Sequence, residues 1–340
     1  MKLLLTGGSG FIGSHILEHI LTKTDWDVVC IASWKHKGTP ERIEEVLAGN
    51  KGWKKRVEVI THDLESPFTI RTVERIFSKG GIEYIINCAS ESHVDRSISD
   101  PVPFVQNNIN LMLNMLSLAR VALPRLKAFV QVSTDEVYGV APDGTNHPEW
   151  SPIIPSNPYS ASKAAQEALA ISYWRTYGIP VVITNTMNNF GEMQDPEKYM
   201  AKIIRLAEKD ETIPVHGDPK TGETGSRYYL HARNHADAIL FILQKTTPNL
   251  YGENVLMPDR YNVVGDIELN NLQVVERIAK VLGKKPKVEI VDFHSTRPGH
   301  DKRYALDGSK LKALGWKPPV DFDASLKRYI EWTLKHPQWL

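Results

Sequence analysis

A tyrosine and a lysine four positions apart, Tyr159 and Lys163, have the residue types and spacing of a proton-transfer pair. Asn157 and Pro158 precede them, and these residue types are favoured at the N-cap and the first position of a helix. On a helix that begins there, the phenol and the ammonium group lie one turn apart on one face. A nearby positive charge favours the deprotonated form of a phenol, whose ordinary pKa is about 10. The pair is therefore a candidate general base, although this spacing is also common in helices that have only a structural role.

Two adjacent acidic residues, Asp135 and Glu136, follow Thr134 directly after an apolar run of strand length. In α/β proteins, binding sites form at the carboxyl ends of the strands, where these two carboxyl groups are expected to lie. Their position favours a role in acid–base chemistry over the alternative, which is a pair of acids in a solvated loop.

Three glycines, Gly7, Gly10 and Gly13, lie where the first apolar run gives way to a helical pattern. The first permits a tight turn, the second lets a pyrophosphate approach the backbone at the helix N-terminus, and the third lets the helix pack closely on the strand. An ordinary turn also contains glycine, but the order of strand, glycines and helix favours a dinucleotide site.

The second predicted strand lacks the terminal acidic residue that would accept hydrogen bonds from the ribose hydroxyls of NAD. Instead it is followed by Ser33 and by the basic residues Lys35, Lys37 and Arg42. These cations could accommodate the 2'-phosphate of NADP or form a solvated basic loop, so the choice between NAD and NADP stays open. Asp63, which follows the third strand, either contacts the adenine or lies in a surface turn.

These residues are positioned by apolar runs of strand length that alternate with helical patterns through the first half of the chain. The runs are nearly continuous in Val, Ile and Leu, which is typical of a sheet covered by helices on both faces. We predict an α/β fold with a doubly wound parallel sheet. The predicted strands are Lys2 to Thr6, Asp27 to Ala32, Val57 to Thr61, Ile82 to Ala89, Ala128 to Ser133 and Pro180 to Thr184. The predicted helices include Phe11 to Leu21, Phe68 to Ser78, Val102 to Ala122 and Tyr159 to Tyr177.

After about Asn185 the pattern becomes irregular, which predicts a smaller appended domain. Its predicted helices are Glu197 to Lys209, Asn271 to Leu282 and Ala324 to Lys335. Because no linker separates the two parts, the cleft between them is the expected site.

The composition excludes several classes of protein. The chain has 340 residues, about two domains' worth, and its 41 basic and 40 acidic residues give a net charge of +1. That balance favours neither a nucleic-acid partner nor a membrane surface. The two cysteines, Cys30 and Cys88, lie in apolar runs and exclude a disulfide framework. With no signal peptide or membrane span evident, we expect a cytoplasmic protein.

Two motifs, TGGSGFIG at residues 6–13 and YSASK at residues 159–163, resemble those of the extended short-chain dehydrogenase/reductase family. Within that family the chain is similar to the nucleotide-sugar 4,6-dehydratases of the dTDP-glucose type. The similar segments are SESHVDRS at residues 90–97, STDEVYG at residues 133–139 and RPGHDKRY at residues 297–304. The resemblance covers the whole chain and implies a Rossmann-type fold with a smaller C-terminal substrate-binding domain.

The resemblance implies a hydro-lyase that converts dTDP-glucose to dTDP-4-keto-6-deoxyglucose by oxidation at C4, loss of water across C5 and C6, and return of the hydride to C6. Tyr159 would take the proton of the 4-hydroxyl, with Thr134 holding the 4-oxygen and Lys163 supporting the phenolate. Glu136 would remove the C5 proton while Asp135 protonates the departing 6-hydroxyl, which requires a protonated Asp135 beside an ionised Glu136. The alternative is an NDP-sugar epimerase of the same family, which needs no acidic pair.

The resemblance also implies the binding residues, with NAD as the expected cofactor, NADP not excluded, and no metal. The cofactor residues are Gly7, Gly10, Phe11, Ile12, Gly13, Ser33, Asp63, Leu64, Ala89, Tyr159 and Lys163. The residues for the nucleotide-diphosphate sugar are Ser92, Asn188, Lys198, Arg227, Asn271, Arg297 and His300. Departures around the base, such as Tyr199 and His216, leave UDP-, CDP- and GDP-sugars open.

The resemblance further implies a division into domains and an assembly. Residues 1–185, with part of 226–265, are expected to form the dinucleotide-binding domain, and residues 186–340 are expected to form mainly the nucleotide-sugar domain. The helices predicted at Val102 to Ala122 and Tyr159 to Tyr177 are apolar on more than one face, so the appended domain or a second copy must cover them. Family members commonly pair through these two helices, which predicts a homodimer.

Overall fold

The computed structural model describes residues 1–78, 80–292 and 302–340. In chain order its strands are β1 (Lys2–Thr6), β2 (Asp27–Ala32), β3 (Val57–Thr61), β4 (Tyr84–Asn87), β5 (Ala128–Thr134), β6 (Val181–Thr186), β7 (Asn188–Phe190), β8 (Thr212–Gly217), β9 (Ser226–His231), β10 (Asp259–Val263), β11 (Glu268–Asn270), β12 (Lys287–Asp292) and β13 (Arg303–Tyr304). Its α-helices are α1 (Phe11–Lys23), α2 (Pro40–Ala48), α3 (Ile70–Phe77), α4 (Val94–Ser99), α5 (Pro101–Ala122), α6 (Pro158–Tyr177), α7 (Tyr199–Glu208), α8 (Ala232–Lys245), α9 (Asn271–Leu282), α10 (Ser309–Ala313) and α11 (Phe322–Lys335).

Seven strands form one parallel sheet in the order β10-β6-β5-β4-β1-β2-β3. This is the Rossmann order, so the predicted fold class is confirmed. The six predicted strands all form, with ends that differ from the prediction by at most two residues. The seventh strand, β10, comes from the second half of the chain and pairs with β6 at the edge of the sheet.

Both faces of the sheet are buried, as the continuous apolar runs predicted. Within β1, Leu3 and Leu5 belong to the core formed with α1 and α8, whereas Leu4 belongs to the core formed with α5 and α6. The alternation follows from the period of two residues along a strand. Most buried apolar residues of α5 therefore pack against one face of the sheet. Met112 and Met115, for example, are fully buried there.

The second half of the chain contains more regular structure than the sequence indicated. Strand β9 pairs with β7, β11 and β13, and β8 pairs with β12. The predicted helices in this half form within two residues of their expected ends, but α8 was not predicted. The apolar side chains of α7, α9 and α11 share one core. No helix among the described residues is long and apolar enough to cross a bilayer.

A buried ion pair connects the edge strand β10 to helix α6. Arg260 Nη2 lies 2.7 Å from Glu167 Oε2, and both side chains are fully buried. Asn185 Nδ2 donates to the other carboxylate oxygen at 2.8 Å, while Arg260 Nη1 donates to Tyr138 Oη at 3.1 Å. These hydrogen bonds satisfy charges that would otherwise be strongly destabilised by burial. They also fix the helix that carries Tyr159 and Lys163.

Removing one member of this ion pair should lower the stability of the fold more than removing both. We expect Glu167→Gln to lower the free energy of unfolding by about 3–5 kcal/mol, because it leaves the Arg260 charge buried without its partner. The double variant Glu167→Met, Arg260→Met should lose less than either single variant. Urea unfolding measures these differences. The exposed pair Lys327–Glu331 provides a control, since Glu331→Gln should change stability by less than about 1 kcal/mol. A double variant that is the least stable of the set would contradict the prediction.

Candidate active site

The turn between β1 and α1 has the backbone geometry that a pyrophosphate group requires. Gly7 adopts a φ of +72°, and a Cβ there would lie 2.9 Å from the backbone nitrogen of Ala89. A Cβ at Gly13 would overlap the Gly7 carbonyl oxygen. Gly10 is the N-cap of α1 and provides no side-chain hydrogen bond, so the positive end of the helix stays available to an anion. The turn fits a dinucleotide and contains the predicted residues Gly7, Gly10, Phe11, Ile12 and Gly13.

The basic residues that follow β2 are held by partners of their own. The Lys35 ammonium group pairs with the carboxylate of Asp63. Lys37 Nζ lies 3.0 Å from Asp195 Oδ2 in the loop after β7. Arg42 is buried and donates to backbone carbonyl oxygens. The loop is therefore neither a set of free cations for a phosphate nor a fully solvated surface. The other predicted residues at this sheet edge are Ser33, Leu64 and Ala89, which follow β2, β3 and β4.

The acidic pair lies at the carboxyl end of β5, as predicted. Thr134 is the last residue of the strand, and a short 3-10 helix begins at Asp135. Thr134 Oγ1 donates to Asp135 Oδ1 at 2.9 Å. Burial, together with the adjacent charge of Glu136, raises the pKa of Asp135 to about 7. Glu136 is only half-buried and accepts a hydrogen bond from Asn157 Nδ2 at 3.3 Å.

Tyr159 lies in the first turn of α6 and faces the acidic pair. Asn157 caps the helix through a capping box with Ser160, and Pro158 occupies the first helical position, as the sequence predicted. Burial raises the pKa of the Tyr159 phenol, and the charge of Glu136 raises it further, whereas a hydrogen bond with Thr134 lowers it. Thr134 therefore contacts both the phenol and Asp135. Deprotonation of this buried phenol requires a positive charge nearby.

Lys163 is buried one turn after Tyr159, but its hydrogen bonds do not go to the phenol. Its ammonium group donates to the carbonyl oxygen of Val132 at 2.8 Å and to Gln166 Oε1 at 2.6 Å. Burial lowers the pKa of Lys163 to about 8. Sequence reasoning missed Gln166. The signal was present, since a residue three positions after Lys163 shares its helix face.

Arg227, predicted to bind phosphate, lies on β9 and is buried. Its Nη1 donates to the carbonyl oxygens of Ser226 and Lys302, both at 2.6 Å. The guanidinium group stacks on the ring of Tyr304, 4.5 Å from its centroid. Its charge also acts on Asp135, whose pKa it lowers in part. Arg227 is therefore close enough to the acidic pair for its charge to act on Asp135.

The remaining predicted substrate residues lie on different elements of the fold. Ser92 is exposed after β4, Asn188 is exposed at the start of β7, and Lys198 is the N-cap of α7. Asn271 begins α9 and donates to the carbonyl oxygen of His216 at 3.2 Å. Arg297 and His300 lie outside the described residues. Within the described ranges, no group of three or more His, Cys, Asp or Glu side chains could hold a metal ion.

The raised pKa of Asp135 predicts a pH-dependent stability. Because the pKa in the folded state lies above its ordinary value, the contribution of this group to stability is full below about pH 4 and is lost as the pH rises through about 7. An amide does not titrate, so Asp135→Asn should not lose stability in this way as the pH rises. The variant should therefore gain stability relative to the parent protein between pH 4 and pH 8, by about 1.4 kcal/mol for each pH unit between the two pKa values. Thermal unfolding across this range measures the difference, and a difference that stays constant with pH would refute it.

The whole chain is similar in sequence and in fold to known proteins. A dTDP-glucose 4,6-dehydratase from Haemophilus influenzae is 36% identical, over 98% of this chain and 98% of its own length. The crystal structure of DesIV, a dTDP-glucose 4,6-dehydratase from Streptomyces venezuelae with NAD bound, is 32% identical with a TM-score of 0.85, over 100% of this chain and 98% of that one. A UDP-glucose 4-epimerase from Thermus thermophilus in complex with NAD is 28% identical with a TM-score of 0.83, over 98% of each chain.

The family model that matches is described as GDP-mannose 4,6 dehydratase, and it covers residues 4–329. The match includes the glycine turn, the acidic pair and the Tyr159 helix. It also agrees with the predicted membership of the extended short-chain dehydrogenase/reductase family. This chain therefore belongs to the GDP-mannose 4,6-dehydratase family.

Proposed function

We propose that this chain is an NAD-dependent hydro-lyase that converts dTDP-glucose to dTDP-4-keto-6-deoxyglucose. The observation that carries the proposal is the position of Asp135, which is buried at the carboxyl end of β5 beside a second carboxyl group and the Tyr159 helix. Burial there raises the pKa of Asp135 to about 7, which favours a bound proton near neutral pH. An epimerase has no use for such a proton donor. The names of the relatives from Haemophilus influenzae and Streptomyces venezuelae support the same reaction.

The turn after β1 would hold the pyrophosphate of the cofactor, and Ser33, Asp63, Leu64 and Ala89 would line the adenosine side. When bound, NAD supplies a reversible acceptor for the C4 hydride. Tyr159 and Lys163 would lie at the nicotinamide end of the site. Their positions on one face of α6, beyond the carboxyl end of β5, support this assignment.

Tyr159 acts first in the proposed reaction, as the base that takes the proton of the sugar 4-hydroxyl. Thr134 hydrogen bonds with the phenol and is in place to hold the 4-oxygen as it becomes a ketone. Because burial disfavours the phenolate, the charge of the nearby Lys163 is needed to stabilise it. The 4-ketone then makes the C5 proton acidic.

The acidic pair carries out the elimination. Glu136, half-buried and hydrogen bonded to Asn157, removes the C5 proton as base. Asp135 donates its proton to the departing 6-hydroxyl, which leaves as water. The product would form when C6 receives the hydride taken from C4 and C5 is reprotonated. Two adjacent carboxyl groups can perform opposite proton transfers because the burial of Asp135 separates its pKa from that of an ordinary acid.

The nucleotide diphosphate would lie between the two halves of the chain. Asn188, Lys198, Arg227 and Asn271 would bind it, and the guanidinium group of Arg227 suits a phosphate. Ser92 would contact the sugar, and Arg297 and His300 stay predictions from the sequence. We also propose the division at residue 185, with β9, α8 and β10 from residues 226–265 joining the cofactor domain.

We propose a homodimer that pairs through α5 and α6, whose outer surfaces carry exposed apolar and small residues. These include Val102, Val121, Ala161, Ala168 and Tyr177. The two helices pack side by side, so that together they offer one continuous surface to a second copy. A cytoplasmic location stays a prediction.

Incubation with NDP-hexoses tests the function directly. With dTDP-glucose, mass spectrometry should show a product lighter by one water molecule. Conversion at constant mass would indicate the epimerase, and no conversion of any common NDP-hexose would refute both activities. Water loss from a UDP-, CDP- or GDP-sugar alone would correct the base but keep the reaction.

Two variants separate the proposed steps. Glu136→Gln should permit oxidation at C4 but block elimination, so reduced nicotinamide should accumulate on the enzyme and be visible by its absorbance. Tyr159→Phe, as the matched comparison, should give neither reduced nicotinamide nor product. If Glu136→Gln eliminates water at the parent rate, the assigned base is wrong.

The paired cations after β2 predict that NAD binds more tightly than NADP. Asp63→Asn should release the Lys35 ammonium group and raise the affinity for NADP relative to NAD by roughly fivefold, as expected for an ion pair worth about 1 kcal/mol. Fluorescence titration with both cofactors measures the ratio. The double variant Asp63→Asn, Lys35→Met should lose the gain, and an equal gain in both variants would contradict the role of Lys35.

A further inference from the structure

A row of buried polar side chains crosses the central sheet toward Lys163, and the proposed mechanism does not use it. Thr6, Asn87 and Gln131 are neighbours in register on β1, β4 and β5. Each is fully buried within strands that are otherwise mostly apolar. Burial of an amide costs free energy of folding unless each of its polar atoms has a hydrogen-bond partner. A continuous row of buried amides therefore suggests a functional role.

The hydrogen bonds along this row have one direction only. Thr6 Oγ1 accepts the backbone N–H groups of Cys88 and Ala89, so its own proton goes to Asn87 Oδ1 at 2.7 Å. That bond turns Asn87 Nδ2 toward Gln131 Oε1, at 2.8 Å. Gln131 Nε2 in turn donates to Gln166 Oε1 at 3.0 Å. The threonine hydroxyl thereby determines which end of each amide faces the next residue.

The last amide, Gln166, presents its oxygen to the Lys163 ammonium group at 2.6 Å. The other acceptor of Lys163 is the carbonyl oxygen of Val132, which also accepts from Gln131 Nε2 at 3.0 Å. Gln131 therefore donates a hydrogen bond to each of the two acceptors of Lys163. Gln166 Nε2 donates to the carbonyl oxygen of Asn108 on α5 at 2.8 Å, so both the oxygen and the nitrogen of the Gln166 amide are hydrogen bonded.

We propose that Gln166, oriented by Gln131, is a positioning residue for Lys163. Gln166 Oε1 and the carbonyl oxygen of Val132 each accept one of the three ammonium protons, which leaves the third for an acceptor in the active site. The consequence for catalysis rests on the proposed function, whereas the placement of the lysine does not.

The same contacts should control the proton affinity of the lysine. Burial lowers the pKa of Lys163 to about 8, and the charges of Cys88 after β4 and Glu167 on α6 raise it in part. The Tyr159 phenol is the ionisable group one turn before it on the same helix. Loss of the Gln166 oxygen should lower the affinity further, because the buried ammonium loses an acceptor. A carboxylate at the same place should raise it.

Two variants of similar size test this inference. In protein without cofactor, labelled with 15N at the lysine side chains and assigned by loss of the signal in Lys163→Met, Gln166→Met should move the titration midpoint of Lys163 down by about one pH unit. Gln166→Glu should move it up. The basic limb of the kcat profile for dTDP-glucose should move in the same directions. Gln131→Met removes one hydrogen bond to the Gln166 oxygen but leaves the bond from Gln166 Nε2 to Asn108, so it should give a smaller downward shift.

A buried glutamine elsewhere serves as the control. Gln194 donates to the carbonyl oxygen of Asn189 at 2.9 Å, away from Lys163, so Gln194→Met should lower stability without moving the midpoint. Unchanged midpoints in both Gln166→Met and Gln166→Glu would overturn the inference. The titration requires no turnover, so shifted midpoints in a protein that converts no NDP-sugar would refute the proposed function and leave the positioning role intact.

Discussion

Burial of ionisable groups at the carboxyl edge of the central sheet is the constraint on which the rest of the site depends. The same removal from water raises the pKa values of Asp135 and Tyr159 and lowers that of Lys163. All three groups are thereby biased toward the neutral form. For Asp135 the neutral form is the proton donor that the proposed reaction needs. The charged forms of Tyr159 and Lys163 depend on specific neighbours, which include a threonine hydroxyl and a glutamine oxygen. A site of this kind works only if the surrounding fold holds those neighbours in place.

The parts of the site that sequence could predict are those set by local geometry. The Asn157–Pro158 start of α6, the positive φ of Gly7 and the position of Asp135 after β5 all follow from rules that act over a few residues. Each was expected at the position where the structure has it. The proposed mechanism requires a raised pKa for Asp135, but no local rule predicts that shift, because it depends on how deeply the folded chain buries the residue.

Partners that are distant in the chain could not be predicted. Lys35 and Asp63 are 28 residues apart, and neither residue alone predicts that the two side chains pair. In the same way, Gln166 could be placed on the face of Lys163, but its contact with Gln131 requires the packing of α6 on the sheet. Helix α8 was missed, and nine of its residues are buried in the folded chain. Strands of two or three residues, such as β11 and β13, carry too few positions for any period.

The ion pair between Arg260 and Glu167 has a consequence for folding during synthesis. Every proposed acid–base group is synthesised by residue 163, yet the guanidinium that neutralises the buried Glu167 arrives almost a hundred residues later. A nascent chain that has not reached Arg260 carries an uncompensated charge on the buried face of α6. The acid–base centre, although encoded early, is therefore completed only when the ribosome has delivered the edge strand.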